Sequence, residues 1–186
     1  EGNWIKVRNN QRVTLNDPGN YLRKIYLFGG STVYSGEVPD NLTIPSQLAS
    51  LGANNFSYKV INMGATSIHS GQQFGRLKAE INVNAGDVII FYDGVNDVLQ
   101  RIIYDNHEGY MIGEPKKESF WIKQLRSKSK YSSILFIFYS KIIENTKETP
   151  STLINTSVDN YVNTLAAVNK YVKSQGGSFY HFLQPT

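Results

Sequence analysis

The chain has 186 residues, of which 40% are hydrophobic and 18% are charged, proportions that fit one folded domain and exclude a disordered protein. It has no cysteine, which excludes disulfide bonds, a thiol nucleophile and a cysteine–zinc site but leaves the compartment open. The net charge is +4, and the lysines are densest over residues 116–130. No RNA- or DNA-binding signature accompanies them, so we expect no nucleic-acid partner.

The N-terminal residues are polar and rich in turns. The first residue is Glu1 rather than Met, which indicates processing or cutting, so that any signal peptide or anchor would lie upstream. Asn9-Asn10 and Asp17-Pro18-Gly19 are typical of loops. Residues 1–23 are therefore predicted to be an N-terminal extension.

Three short apolar runs predict buried strands, each closed by glycine or other turn residues. They are Ile25–Phe28, Tyr58–Asn62 and Asp87–Tyr92. Helical patterns separate them, over residues 43–51 and about 72–81. Strands that alternate with helices predict a parallel sheet with helices on both faces.

The second half of the chain begins with a looser pattern, and residues 105–130 are predicted to be an insertion rich in Gly, Lys and Asn. Ser132–Ile143 is apolar nearly all round but shorter than the roughly 20 residues of a membrane span. It predicts a helix that is buried by default, or that lies against a lipid or partner surface. Ser157–Ser174 predicts an amphipathic helix and Phe179–Leu183 a fourth strand. Without repeats or linkers, residues 1–186 form one predicted domain.

Three of the predicted strand ends carry residues suited to chemistry. Gly29-Gly30-Ser31 follows the first strand, Gly64 the second, and Asn96 the third. Function gathers at the carboxyl edge of such a sheet. A hydroxyl nucleophile with convergent N–H donors suits acyl transfer, in which negative charge develops on one oxygen. Each feature alone is typical of a simple turn, and their occurrence in order after three strands favours a site.

These residues also carry a family resemblance. Phe28–Thr32, the loop at Gly64 and Gly94–Asp97 resemble the first three sequence blocks of the SGNH (GDSL-like) hydrolase superfamily. The resemblance covers residues 24–100 and, more loosely, the helix and strand after residue 157. It implies a flavodoxin-like three-layer α/β/α sandwich with a parallel sheet of about five strands.

The resemblance also implies roles for the three strand-end residues. Ser31 would be the nucleophile, and its N–H, the Gly64 N–H and the Asn96 side chain would form the oxyanion hole. No cofactor and no metal are expected. The substrate would be a small-molecule or glycan ester.

Two departures from the family pattern are visible. The usual Gly-Asp-Ser is Gly29-Gly30-Ser31 here. The final Asp-x-x-His block and the fifth strand have no counterpart, so a catalytic His/Asp pair is expected beyond Thr186. Either the chain is truncated at its C-terminus or it is a non-catalytic relative, and a protein ending at Thr186 is expected to be nearly inactive.

Five other residues could take part in chemistry. His69, His107 and His181 could each replace the missing base, but a lone histidine is more often packed or solvated. Asp93 and Asp97 could suggest a metal, but no third ligand is apparent and a turn explains them more simply.

The expected function is therefore hydrolysis or transfer of an acyl ester by a serine esterase. O-acetyl groups on a bacterial glycan are the preferred substrate, because proteins with a similar Gly-Gly-Ser-Thr start resemble envelope or polysaccharide-linked esterases and acyltransferases. A non-catalytic carbohydrate-binding relative is one alternative. A flavin- or nucleotide-binding module is another, although both common phosphate-loop fingerprints are absent. Membrane association and the choice between cell envelope and cytoplasm stay open.

Overall fold

A computed structural model describes residues 4–15, 20–52, 58–98 and 150–184, with side chains of the last range from residue 155. The predicted insertion at 105–130, the apolar segment Ser132–Ile143 and His107 lie outside the described residues.

The described strands form a small hairpin and a parallel sheet. The hairpin consists of β1 (Val7–Arg8) and β2 (Gln11–Arg12). The sheet contains β3 (Arg23–Gly29), β4 (Tyr58–Asn62), β5 (Val88–Asp93) and β6 (Ser178–Leu183), in the order β4-β3-β5-β6 and all parallel. Strand β3 thus lies between β4 and β5, which is the order of flavodoxin-like sheets.

The helices flank this sheet. They are α1 (Ser31–Tyr34), α2 (Ile44–Gly52), α3 (Ser70–Glu80) and α4 (Pro150–Ser174), with a 3₁₀ turn at Asp40–Leu42 and helical residues at 95–98. The predicted α/β fold with a parallel sheet is confirmed. None of the described helices is long and apolar enough to span a membrane.

The main core lies between the sheet and helices α3 and α4. Its members are apolar side chains that alternate along the strands and recur along one face of each helix: Tyr26, Phe28, Met63, Leu77, Val83, Ile89, Phe91, Val168 and Val172. Phe28 and Phe91 are fully buried, with ring centroids 5.2 Å apart. Phe74 of α3 packs edge-on against Tyr171 of α4 at 5.8 Å. This core holds β3 and β5 side by side, so that the two strands end next to each other at the same edge of the sheet.

The hairpin lies inside the predicted N-terminal extension and was not anticipated. Its turn consists of Asn9 and Asn10, with φ of 52° and 60°, the left-handed pair that a tight two-residue hairpin requires. In the sequence this pair is typical only of a loop. Strands of two residues each are too short to show an alternating pattern of apolar and polar residues in the sequence.

Candidate functional site

Ser31 lies at the turn where β3 ends and α1 begins. Its side chain is exposed, and its hydroxyl makes no hydrogen bond to the described part of the chain. The turn is tight because a Cβ on Gly29 would lie only 2.3 Å from Cγ2 of Val33. The fully buried Val33 therefore packs directly on the strand end, and Ser31 is left facing outward.

Asn96 lies beside this turn because β5 is the neighbour of β3, with Gly29 in register with Tyr92. A Cβ on Gly30 would lie 2.6 Å from Nδ2 of Asn96. The same Nδ2 donates to the carbonyl of Ile68 at 2.8 Å. An amide nitrogen carries two protons, so the second N–H has no need of Ile68 and can serve another acceptor next to Ser31.

Gly64 packs against α1 at Val33 and Tyr34. A Cβ at this position would lie 2.3 Å from the main-chain nitrogen of Tyr34, so only glycine allows this approach. The Gly64 N–H donates to Oδ1 of Asn62 at 2.9 Å. The amide of Asn62 in turn donates to the carbonyl of Val33 at 3.2 Å. The loop after β4 thus supports the helix that begins at Ser31.

His69 is the N-cap of α3. Its ring Nδ1 accepts the Gly71 N–H at 3.2 Å, while the main-chain N–H of His69 donates to Oε1 of Gln72 at 3.1 Å. Burial lowers the pKa of His69, and the nearby charge of Asp97 opposes this shift. Because the cap uses a ring nitrogen as acceptor, the ring is neutral in this arrangement.

Asp97 joins the turn that carries Asn96 to the start of α3. Its carboxylate is buried and accepts the Ser70 N–H at 3.1 and 3.3 Å, together with the Ser70 hydroxyl. A carboxylate here also meets the positive end of the helix dipole. Asp97 therefore fixes the backbone next to Asn96.

Asp93 belongs to a second buried network. Tyr161 of α4 donates its hydroxyl to Oδ1 of Asp93 at 2.5 Å and also contacts Nε2 of His181. Nε2 of His181 lies 3.6 Å from the same carboxylate oxygen. Burial raises the pKa of Asp93 to about 7, which the hydrogen bond from Tyr161 partly opposes, and burial lowers the pKa of His181.

The proton positions in this network follow from the donor count. A hydroxyl has one proton. If Tyr161 donates it to an ionised Asp93, Nε2 of His181 must donate to the tyrosine oxygen, so the neutral tautomer carries its proton on Nε2. His181 pairs in register with Phe91, two residues before the end of β5. It thus lies below the sheet edge that carries Ser31.

The described residues include no group of three or more side chains placed to bind a metal. Asp93 and Asp97 are engaged by Tyr161 and Ser70 respectively. A cavity of about 200 Å³ lies between the hairpin and β4, lined by residues that include Arg8, Arg12 and Lys59 and neither Ser31 nor Asn96.

Two residues near the site were not anticipated. Arg12 contacts the end of α1, and Tyr161 holds Asp93. Tyr161 lies within the amphipathic helix predicted over Ser157–Ser174, but nothing in a helical pattern reveals which strand end a hydroxyl will reach. Nothing in the sequence marks Arg12 as a contact of α1, because the main-chain carbonyls that it binds lie far along the chain.

Comparisons with known proteins found no matching family model and no matching curated protein. Among solved structures, the SGNH-hydrolase family esterase AlinE4 is 22% identical with a TM-score of 0.38, and the alignment spans 45% of each chain. Axe2, an acetylxylan esterase from Geobacillus stearothermophilus, is 14% identical over 83% of this chain and 74% of that chain, with a TM-score of 0.42.

A member of the lipolytic G-D-S-L family from Veillonella parvula is 13% identical over 87% of this chain and 79% of that chain, with a TM-score of 0.35. At these values the likenesses carry no information on the activity of this chain.

Proposed function

We propose that the protein is a serine esterase of the SGNH type, with Ser31 as its nucleophile. One observation carries the proposal: the side-chain amide of Asn96 packs against Gly30, the residue that precedes Ser31. An exposed hydroxyl and an amide donor are thereby brought together from the ends of two neighbouring strands. This is the pairing that acyl transfer requires.

The proposed reaction has two halves. The Ser31 oxygen bonds to the ester carbonyl carbon while a base takes the hydroxyl proton. The carbonyl oxygen becomes an anion, which the Ser31 N–H and the free N–H of Asn96 stabilise. The anion then collapses, the bond to the alcohol breaks and the base returns its proton to the alcohol. Water releases the acyl group in the hydrolase, and another alcohol does so in a transferase.

Gly64 is the third proposed oxyanion donor. In the structure its N–H is engaged by Oδ1 of Asn62 at 2.9 Å. Gly64 would have to exchange this partner before it could donate to a substrate. Ser31 and Asn96 are therefore the two donors on which the proposal depends.

The proposed base is a histidine beyond Thr186, steadied by an aspartate three residues before it, as the resemblance in sequence implies. The two histidines that the structure describes have other roles in it. His69 caps α3, and His181 contacts Tyr161. Ser31 hydrogen-bonds to neither.

For the substrate we propose an acetyl ester on a glycan. This step rests on the resemblance of the Gly-Gly-Ser-Thr start to polysaccharide-linked esterases, and the fold alone does not select a substrate. Release of acetate from acetylated polysaccharides, compared with release from longer acyl esters, tests it.

Labelling with a fluorophosphonate tests the nucleophile directly, because the probe reacts with an activated serine. The 186-residue chain and a product of the same reading frame extended beyond Thr186 are compared. Ser31→Ala should abolish labelling and p-nitrophenyl acetate hydrolysis, whereas Ser50→Ala, at an exposed position of α2, should change neither. Folded protein that takes no label in either form would overturn the proposal. Glycan binding without turnover, or visible-range absorbance from a bound flavin, would then identify which alternative applies.

A further inference from the structure

The helix that begins at Ser31 is too short to hold its own shape. Helix α1 has four residues, and its main-chain bonds run from Tyr34 and Ser35 to the carbonyls of Gly30 and Ser31. Forming the first turn of a helix fixes several backbone dihedral angles for one hydrogen bond, and a single turn has too few further bonds to offset that loss of entropy. The orientation of Ser31 must therefore be set by what surrounds α1.

Arg12, from strand β2 of the hairpin, holds the far end of this helix. Its Nη1 donates to the carbonyl of Tyr34 at 2.8 Å and to that of Ser35, and its Nη2 donates to the carbonyl of Val38. The last carbonyls of a helix have no partner within it. A cation placed there also meets the negative end of the helix.

The charge of Arg12 is compensated on its other side. Its Nε donates to Oδ1 of Asp40 at 3.1 Å. Both oxygens of Asp40 also accept the Lys6 N–H, each at 3.2 Å. Arg12 is 2% exposed and Asp40 is 5% exposed. Such a buried pair costs desolvation that a hydrophobic pair would avoid, so stability alone does not explain it.

The guanidinium is suited to this position in a way that other cations are not. It presents five N–H donors in a rigid plane, which lets one side chain reach several carbonyls and a carboxylate together. An ammonium is a single point and cannot span Tyr34, Val38 and Asp40 at once. The site thus uses the shape of arginine as well as its charge.

We propose that Arg12 is a positioning residue for the nucleophile: through the carbonyls of Tyr34 and Ser35 it fixes α1 and hence the direction of the Ser31 hydroxyl. Arg12 touches no substrate in this proposal. The proposal rests on the esterase function proposed above and names the hairpin as part of its machinery.

The test uses whichever form of the protein is labelled at Ser31. Arg12→Lys keeps the positive charge and loses the planar set of N–H donors. The double variant Arg12→Met with Asp40→Leu replaces the buried pair by apolar side chains of similar size, which is often neutral or stabilising. Arg8→Met is the matched control, because Arg8 is an exposed arginine on the same hairpin. The readouts are the rate of fluorophosphonate labelling, kcat and KM, and the melting temperature.

We expect the double variant to stay folded and to lose about a hundredfold in labelling rate and kcat, with KM little changed, because a misplacement of about 1 Å has that effect. Arg12→Ala should also lose labelling rate and kcat, and it should regain part of both when guanidinium is added below the concentrations that unfold the protein. Labelling of the folded double variant at the wild-type rate would overturn the proposal.

Hydrogen exchange separates this proposal from the function on which it rests. The amides of Tyr34 and Ser35 should exchange at least about tenfold faster in Arg12→Lys than in the wild type, while those of β5 should not change. Equal exchange at the two α1 amides would overturn the positioning role. Wild-type protein without any labelling would instead overturn the esterase function.

Discussion

The side-chain amide of Asn96 occupies the space in which a Cβ on residue 30 would lie, with 2.6 Å between that Cβ and Nδ2. Gly30 has no side chain, which leaves room for the Asn96 amide beside the turn that carries Ser31. The size of residue 30 therefore bears on the position of the proposed oxyanion donor.

Gly30→Ala should leave the fold intact and slow turnover. The added methyl group would displace the end of a flexible side chain, so the protein can relax by moving Asn96 rather than its backbone. A displaced donor no longer faces the developing charge, and we expect a loss of roughly tenfold to a hundredfold in kcat. Ester hydrolysis and the melting temperature are measured together.

The matched control for that substitution is Gly75→Ala. Gly75 lies inside α3, and a Cβ there meets nothing within 4 Å. Alanine should stabilise the helix by about 1 kcal/mol and leave kcat unchanged. If Gly30→Ala turned over esters as fast as Gly75→Ala, the contact between residue 30 and Asn96 would have no catalytic meaning.

Asn96→Ala should fold normally and slow turnover by about a hundredfold or more, the usual cost of losing one oxyanion donor. The effect should fall on kcat, because the donor acts on charge that develops in the transition state. Asn163→Ala, on the exposed side of α4, should have no effect. A small acetyl ester is the substrate to measure, and equal kcat values for Asn96→Ala and the parent would contradict the role.

The form of the protein that ends at Thr186 should be nearly inactive toward p-nitrophenyl acetate. A serine hydroxyl needs a base, and removing such a base costs on the order of 10⁴ to 10⁶ in rate. The extended form should hydrolyse the ester and take the fluorophosphonate at Ser31. Full activity of the 186-residue form that is lost in His69→Ala would show that the base has been placed wrongly.

The raised pKa of Asp93 gives stability a definite dependence on pH. Its carboxyl has an ordinary pKa of 3.8 and a pKa of about 7 in the folded protein, mainly through burial. Between these values the folded state binds more protons than the unfolded state, so this group makes stability fall as pH rises from about 4 to about 7. Above that range its contribution no longer changes.

Asp93→Asn should remove this slope. Urea unfolding at several pH values between 4 and 8 measures it, and the difference between variant and parent reports Asp93 together with its effect on the neighbouring His181. The lowered pKa values of His69 and His181 act with the opposite sign. Asp159→Asn, an exposed carboxylate on α4, is the control. A parent whose stability varied with pH as the variant does would rule out a raised pKa at Asp93.

The fold could be predicted from sequence where local pattern and tertiary structure agree. The apolar runs at Ile25–Phe28, Tyr58–Asn62 and Asp87–Tyr92 match β3, β4 and β5 to within two residues at each end, because each run is apolar and bounded by turn residues. The last helix begins at Pro150, seven residues earlier than the predicted Ser157. Val158, the first apolar residue of the predicted helix, is 45% exposed, and the first buried apolar side chain described in this helix is Tyr161.

The part of the site that depends on the order of the strands could be predicted from the sequence. Ser31 and Asn96 follow strands that turned out to be neighbours, so their proximity follows from the order of the sheet. The engagement of Gly64 by Asn62 and the capping role of His69 depend on loop geometry that no periodicity records. Arg12 meets carbonyls that lie 22 to 26 residues away, and a main-chain acceptor has no sequence signature.

The bonds of Arg12 also set the boundary of the cooperative unit. Chain termini usually open locally at little cost, well before the core unfolds. Here the first strands are tied through a buried arginine to the far end of α1, so opening of the hairpin would break these bonds. A shortened protein that began at Arg23 would retain the four described strands of the parallel sheet and lose the hydrogen bonds from Arg12 to α1.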